Sequence, residues 1–103
     1  MLLFSKFRIY GHSMSPFLKD GDLIIISYIP FLFKKPKINE VIAISYNRKI
    51  IIKRIKQIQE NKYFLEGDNK KDSFDSRNFG SIKKSDILGK IIYISKWFST
   101  FLL

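Results

Sequence analysis

Apolar and polar positions alternate along this chain in blocks of only a few residues. β-branched and aromatic residues dominate the apolar blocks, and such residues favour strands over helices. Many short strands at close spacing predict a single mostly β domain over residues 1–103, antiparallel and barrel-like, because no linker or internal repeat interrupts the pattern. The predicted strands are residues 7–10, 23–28, 40–46, 50–58, 62–66 and 91–95.

The polar stretches between these strands carry turn-forming residues. Residues 11–18 predict a turn or a short helical segment. Residues 30–36 predict a loop, because the proline at each end cannot donate to a strand ladder. Residues 67–80 are far richer in Asp, Ser and Asn than their surroundings and predict a long polar loop. Shorter turns are expected at residues 19–22, Asn47-Arg48, residues 59–61 and Ser85-Asp86, the last before residues 87–90.

The strand over residues 50–58 carries a lysine at its centre. Side chains alternate along a strand, so Lys53 shares a face with Ile51 and Ile55, and Arg54 points the other way beside Ile52. An ammonium among isoleucines is poorly solvated, and desolvation favours the neutral amine, which is a base. Lys53 therefore is a candidate proton acceptor. The alternative is a lysine that reaches water from a half-exposed strand.

The amino-acid composition argues against several kinds of functional site. The chain has no cysteine, which excludes disulfides, thiolate zinc sites and cysteine nucleophiles, and its single histidine, His12, argues against a histidine metal site. The formal net charge of +10 is compatible with a nucleic acid, an anionic membrane surface or a lysine-rich source. Because the lysines are scattered, the charge alone decides little, and we expect no cofactor.

Three apolar patches stand out at residues 1–4, 29–33 and 97–103. None approaches the ~20 residues that a membrane-spanning helix needs. The second patch is followed by Lys34-Lys35, and apolar residues next to lysines suit shallow contact with an anionic membrane interface. The alternative is that these patches complete the core of a small domain.

Ser13 lies in a segment that cannot form a regular strand, two residues after Gly11 and three before Pro16. Irregular turns expose backbone N–H groups. A serine beside free N–H groups meets a requirement of acyl transfer, because the developing oxyanion must be stabilised. The alternative is a turn serine that caps its neighbours.

The polar loop at residues 67–80 invites comparison with a calcium site. An EF-hand loop that began at Asp68 would place Lys70 at its third position, where an acidic or amide ligand is required, so we reject calcium. A structural interpretation is that Asp75 pairs with Arg77 and Asp68 with Arg54, which would order the loop beside the lysine strand.

Three motifs in order resemble those of type I signal peptidases. Residues 11–18 followed by Gly21-Asp22 resemble the family's serine motif, and Lys53-Arg54 in an apolar strand resembles its lysine motif. Residues 67–80, followed by residues 88–90, resemble its C-terminal box. Each motif alone is weak, but order and spacing fit from about residue 10 to residue 93.

The resemblance implies a serine endopeptidase of the signal-peptidase or repressor-peptidase type of fold, associated with the outer face of the cytoplasmic membrane. It implies a Ser13 nucleophile whose own N–H supplies the oxyanion hole, a Lys53 general base, and a Ser73 hydroxyl that orients the amine. The implied substrates are preproteins or leader peptides with small residues at the first and third positions before the cut. It assigns a pocket role to Met14 and loop-ordering roles to Arg54, Asp68, Asn69, Asp75 and Arg77.

Two departures from the family pattern are visible. Relatives normally carry one or two membrane spans before the serine motif, whereas only twelve residues precede Ser13 here, and the segment before the third box is minimal. The chain is therefore interpreted as a truncated form, a minimal peptidase that docks through its apolar ends, or a specialised maturation protease. Compact relatives that trim the leader of nickel superoxide dismutase have a similar layout, and a chain of that kind would act in the cytoplasm.

Two other functions remain open. A self-cleaving repressor-type peptidase shares the Ser/Lys pair, but it lacks the third box, and no Ala-Gly or Cys-Gly bond precedes Ser13. A non-catalytic basic β-barrel could bind anionic membrane or nucleic acid through its aromatic residues. That function leaves the order of Ser13, Lys53 and Ser73 unexplained, so no nucleic-acid partner is expected.

Overall fold

A computed structural model describes residues 2–96 of the chain, and within them the backbone forms seven strands. All paired strands are antiparallel, in the order β1-β2-β7-β3-β4-β5-β6. The mostly β, antiparallel prediction is confirmed, and the single sheet is open rather than closed into a barrel. The strands are β1 (Ser5–Arg8), β2 (Leu23–Ser27), β3 (Val41–Tyr46), β4 (Lys49–Gln59), β5 (Lys62–Glu66), β6 (Ile82–Lys83) and β7 (Ile87–Ser95).

The long polar segment after β5 holds more structure than the sequence predicted. Asp75 caps a one-turn helix, α1 (Ser76–Phe79), in which the Asp75 carboxylate accepts the Arg77 N–H and the Asn78 side chain accepts the Asp75 N–H. The short strand β6 follows. The expected continuous loop over residues 67–80 was therefore wrong at α1, and β6, which lies beyond that loop, was not predicted. One helical turn and a two-residue strand are too short to give a periodic hydrophobic pattern.

Several strand boundaries also differ from those predicted. The first strand begins two residues earlier, and Ile9 leaves regular pairing although its N–H still donates to Asp22 O at 2.7 Å. The last strand begins at Ile87 instead of residue 91. Gly89 permits this, because an added Cβ there would lie 2.6 Å from the Ser27 carbonyl carbon. The proline-bounded loop begins as a 3₁₀ turn, Ile29–Leu32, and another such turn, Lys84–Asp86, precedes β7.

The turns between β3 and β4 and between β4 and β5 are tight. Asn47 and Arg48 have φ of 48° and 66°, and Glu60 and Asn61 have φ of 49° and 65°. Two consecutive positive φ values give the turn that best matches the twist of a hairpin. Asn tolerates the left-handed region better than most residues, which explains one residue of each pair. The hairpin between β3 and β4 fixes the register that places Lys53 opposite Ile42.

The core divides into two apolar clusters, and β3 contributes to both. Ile42 and Ile44 pack in one cluster, whereas Val41 and Ala43 pack in the other. β3 is therefore buried on both faces. The second cluster also contains Met14 and Leu18 from the segment that carries Ser13. Full burial of a Leu or Met side chain contributes roughly 1.5–3 kcal/mol, so the core holds the serine segment in place.

No helix within residues 2–96 is long and apolar enough to cross a membrane. The apolar patch at residues 97–103 and Met1 lie outside the described residues.

Candidate active site

A buried lysine and a loop serine are hydrogen-bonded in the middle of the molecule. Lys53 lies in β4 with only 4% of its surface exposed, and its Nζ donates to Ser13 Oγ at 2.9 Å. The predicted alternation along β4 is confirmed, since Ile51 and Ile55 belong to one core cluster and Ile52 to the other. The structure thus brings together the two residues that the sequence separates by 40 positions.

The serine segment is held by contacts on both sides of Ser13. Met14 and Leu18 are buried, and the Leu18 N–H donates to Met14 O at 2.9 Å. The Asn69 N–H donates to Ser13 O at 2.9 Å, which ties the serine to the segment after β5. Within residues 2–96, the Ser13 N–H itself donates to no protein acceptor. That amide is therefore available to a ligand beside the Ser13 hydroxyl.

The environment of Lys53 alters its proton affinity. Burial lowers the pKa of Lys53 below the ordinary lysine value, because the charged form loses its hydration. The carboxylates of Asp75 and Asp72 act in the opposite direction and offset part of the effect on the pKa. The lowered pKa makes the neutral amine more abundant near neutral pH than it is for a lysine in water.

Asp75 organises the segment next to the pair and is itself fully buried. Its carboxylate accepts hydrogen bonds from the Gly67 N–H at 2.9 Å, the Ser73 hydroxyl at 2.7 Å and the Arg77 guanidinium at 2.9 and 3.0 Å. Burial alone would raise the pKa of Asp75, but the hydrogen bonds from Arg77, Gly67 and Ser73 outweigh it and hold the pKa well below its usual range. The predicted Asp75–Arg77 ion pair is present.

Ser73 differs from the expectation that its hydroxyl bonds to the Lys53 amine. In this structure the hydroxyl donates to Asp75, and the Lys53 amine is bonded to Ser13. The physical reason is that a buried carboxylate is a stronger acceptor than an amine and lies only two residues along the chain. Ser73 remains close to the pair, because a Cβ added to Gly67 would lie 2.2 Å from Ser73 Oγ and 2.5 Å from Ser13 O.

Two other predicted loop-ordering residues, Arg54 and Asp68, form an ion pair. Arg54 donates to both oxygens of Asp68 at 2.8 Å, and its remaining nitrogen donates to Asn39 O at 2.7 Å. This bidentate pair raises the pKa of Arg54. The guanidinium also lies 4.8 Å from the ring centroid of Phe17, so it stacks on the serine segment. Arg54 thereby links the lysine strand, the polar segment and the serine segment.

Two clefts are lined by both Ser13 and Lys53, and both also include Tyr10 and Ile51 in their walls. The first has a volume of about 320 Å³. Its other walls come from β1 and the residues that follow it, from Met14, and from β4; they are Phe7, Arg8, Ile9, Met14, Ile50 and Ile52. The second has a volume of about 330 Å³ and is completed by Gly11, His12, Asp72 and Phe74.

Sequence reasoning assigned no role to several residues at this site. Gly67 is one, since its lack of a side chain lets Ser73 and the Ser13 backbone approach. Ser76 is another, since its hydroxyl accepts the Leu65 N–H at 2.7 Å and joins α1 to β5. Both residues lie in the third motif, residues 67–80, and their place in that motif could have indicated a role. Tyr10 and Phe74 had no signal in sequence, because only the fold brings them together.

Within residues 2–96, no three His, Cys, Asp or Glu side chains come together in an arrangement that could hold a metal ion.

The fold and the site together define a small antiparallel β protein built around a serine–lysine pair. The family described as "Signal peptidase, peptidase S26" matches residues 1–56 and 51–97. The chain is also 40% identical over 62 residues to the Signal peptidase I of Buchnera aphidicola subsp. Schizaphis graminum (strain Sg). The aligned part is 60% of this chain and spans 19% of that relative. The chain belongs to the signal peptidase family S26, and the resemblance found in its three motifs is confirmed.

Proposed function

We propose that this chain is a serine endopeptidase that removes signal or leader peptides from preproteins, and that residues 1–103 form its single catalytic domain. The observation that carries the proposal is the hydrogen bond between the amine of buried Lys53 and the hydroxyl of Ser13. A serine hydroxyl is a weak nucleophile without an adjacent base. Lys53 supplies that base, because its lowered pKa favours the neutral amine.

The reaction begins when neutral Lys53 accepts the Ser13 hydroxyl proton as Oγ attacks the carbonyl carbon of the scissile bond. The resulting oxyanion accepts a hydrogen bond from the Ser13 N–H, which has no protein partner within the described residues. Protonated Lys53 then gives its proton to the leaving nitrogen, and the new N-terminus departs. This step leaves an ester between Ser13 and the peptide that preceded the cut.

A water molecule completes the cycle. Neutral Lys53 accepts one proton from that water while the oxygen attacks the ester carbonyl. Collapse of the second oxyanion breaks the bond to Ser13 Oγ, which takes the proton from Lys53. The products are a free carboxyl group and the regenerated serine. Asp75, which is held ionised by Arg77, contributes to this cycle by moderating the pKa of Lys53.

The first cleft fits the residues that precede the cut. Residues of both β1 and β4 line this cleft, so an extended peptide in it would lie beside two strands. Met14 and Ile52 line this cleft together with Ser13, and we infer that their bulk favours small substrate side chains there. This supports the preference for small residues at the first and third positions before the cut.

We infer that the protein works at a membrane surface with anionic lipids, at the outer face of the cytoplasmic membrane. Leu32 and Phe33 are 57% and 82% exposed, and Lys34 follows them directly. Leu3 is 64% exposed, and it lies on the same end of the molecule because the Tyr28 N–H donates to Leu2 O just before the 3₁₀ turn. Exposed apolar side chains beside lysines suit insertion into an anionic interface.

The experiment that tests the peptidase function uses a preprotein with Ala at the first and third positions before the cut, incubated with the native chain in anionic lipid vesicles. Cleavage that is absent from a Ser13→Ala variant of equal thermal stability supports the proposal. Equal cleavage by both proteins contradicts it. Flotation with anionic and neutral vesicles tests the membrane surface, and a Phe33→Ser variant should float less with the anionic ones.

A further inference from the structure

The second cleft contains an aromatic ring that the catalytic scheme does not use. Phe74 is 52% exposed although it contacts two other rings, with centroid distances of 5.7 Å to Tyr46 and 5.3 Å to Phe79. Tyr46 and Phe79 stack on each other at 4.4 Å and are partly buried against the core. Phe74 is therefore held from behind while much of its ring surface stays open to solvent.

The residues that line this cleft favour an apolar ligand side chain. Tyr10 is 81% exposed, and Ile51 contributes an aliphatic side chain, so two of Phe74's neighbours are also apolar or aromatic. Gly11 adds no bulk, and a Cβ placed on it would meet nothing within 4 Å. His12 and Asp72 supply the polar groups of the cleft. The cleft reaches Ser13 and Lys53, so an occupant lies next to the reacting atoms.

The position of the cleft along a substrate follows from the proposed function. If the residues before the cut occupy the first cleft, between β1 and β4, the chain passes Ser13 and the residues after the cut enter the second cleft. Both clefts are lined by Tyr10, Ile51, Ser13 and Lys53. A substrate that passes the scissile bond from one cleft to the other requires such shared residues.

We propose that the second cleft binds a large apolar side chain, aromatic above all, within the first three residues after the cut, and that Phe74 determines this preference. The proposal rests on the proposed peptidase function. A ring that is already held by Tyr46 and Phe79 loses little freedom when a substrate ring packs on it. Aromatic pairs gain stabilisation beyond the area they bury, and we expect kcat/KM to rise about three- to tenfold for Phe over Ala at the preferred position.

The experiment uses soluble peptides with a fixed sequence before the cut and either Phe or Ala at the first, second or third position after it. The measured quantity is the ratio of kcat/KM for the Phe and Ala peptides. This ratio is insensitive to the amount of active enzyme, so partial unfolding of a variant does not change it. The native chain should show a ratio of about three or more at one position, and Phe74→Ala should lower that ratio to near one.

The matched control is Tyr93→Ala, which removes another exposed aromatic side chain that lines neither cleft. It should keep the native ratio in the absence of lipid, and Phe74→Trp should keep or increase it. Ratios near one at all three positions in the native chain would overturn the proposal. So would a preference that survives in Phe74→Ala.

A binding measurement separates this proposal from the catalytic one. The Ser13→Ala protein keeps both clefts, and calorimetry with the Phe and Ala peptides gives their Kd values without turnover. Tighter binding of the Phe peptide that is lost in Ser13→Ala/Phe74→Ala supports the subsite even if no substrate is cleaved. Equal Kd values for the two peptides overturn it, whereas cleavage of the Ala peptide by the native chain would leave the peptidase function standing.

Discussion

The Nζ atom of Lys53 lies 2.9 Å from the Oγ atom of Ser13, and the two residues are held by different parts of the core. Lys53 belongs to β4, whose hairpin with β3 fixes its register. The neighbours of Ser13 are anchored by the buried side chains of Met14 and Leu18. Because each partner has its own support, the pair is preorganised, and its chemistry can be tested by changing either side chain alone.

Replacing Lys53 by arginine should lower kcat/KM by on the order of 10³-fold or more, because a guanidinium remains charged and cannot accept the Ser13 proton. The measurement is cleavage of the Ala preprotein by equal amounts of folded protein. Lys53→Met serves as the control for folding, since it removes a charge from a buried site and should not destabilise the protein through desolvation. Native-like cleavage by either variant would show that Lys53 is not the base.

The rate of cleavage should rise with pH and reach a plateau, because only the neutral form of Lys53 accepts a proton. Burial lowers the pKa of Lys53 while Asp72 raises it, so Asp72→Asn should lower the pKa further. The midpoint of the pH profile should therefore move to lower pH, and the shift should be small because solvent screens an exposed charge. The measurement is kcat/KM from mildly acidic to alkaline pH.

The control for the pH profile is Glu60→Gln, which changes the net charge equally at a turn between β4 and β5. Its profile should superimpose on that of the native chain. A midpoint that moves to higher pH in Asp72→Asn would contradict the assignment of Lys53 as the titrating group, and so would equal shifts in the two variants.

Gly67→Ala should disrupt the site although the change is one methyl group. The added Cβ would lie 2.2 Å from Ser73 Oγ and 2.5 Å from Ser13 O, so the segment carrying Ser13 has to move. Overpacking of this kind costs about 1–3 kcal/mol of stability, and a displacement near 1 Å at a reacting group costs on the order of 10²-fold in rate. Thermal unfolding and kcat/KM measure the two effects separately.

A double variant tests whether the Ser73 hydroxyl is the only obstacle to a methyl group at Gly67. Ser73→Ala removes that hydroxyl, but it leaves in place the Ser13 carbonyl oxygen and the Ser73 Cβ, which would lie 2.5 and 2.7 Å from the added Cβ. Gly67→Ala/Ser73→Ala should therefore stay well below Ser73→Ala in activity. Full recovery in the double variant would mean that only the Ser73 hydroxyl had blocked the methyl group, which is incompatible with a close approach to Ser13.

The sequence predicted the structure best where a residue type strongly favours one environment or one backbone conformation. Lys53 in a run of isoleucines predicted a buried, alternating strand, and β4 has that alternation. Asn47-Arg48 predicted a tight turn, and both residues have positive φ. The interior of β3 was predicted well for the same reason, since Val41, Ile42 and Ile44 bury their side chains.

The sequence was least informative where the structure depends on competition between partners. The Ser73 hydroxyl has two possible acceptors, and nothing in a linear chain shows that it donates its hydrogen bond to the buried Asp75 carboxylate and not to the Lys53 amine. The start of β7 depends on whether Gly89 packs on Ser27, which is a contact between distant segments. The wall of the second cleft likewise requires the fold to bring Tyr10 beside Phe74.

Asp75→Asn should reduce stability at neutral pH and remove part of the acid sensitivity of the native chain. The pKa of Asp75 is lowered on folding, so its ionised form stabilises the folded state above the unfolded-state pKa of about 4, and this contribution is lost as the pH falls through the folded-state value. The amide keeps one acceptor oxygen but loses the charge that holds Arg77, Ser73 and the Gly67 N–H, at a cost of about 1–3 kcal/mol. Urea unfolding of both proteins from pH 7 to pH 2 measures the difference, which should be largest at pH 7 and shrink below about pH 4. Asp86→Asn controls for the loss of a partly exposed carboxylate that accepts a single backbone N–H, from Lys83, at a 3₁₀ turn. A stability difference that stayed constant down to pH 2 would show that Asp75 does not stabilise the fold through its charge.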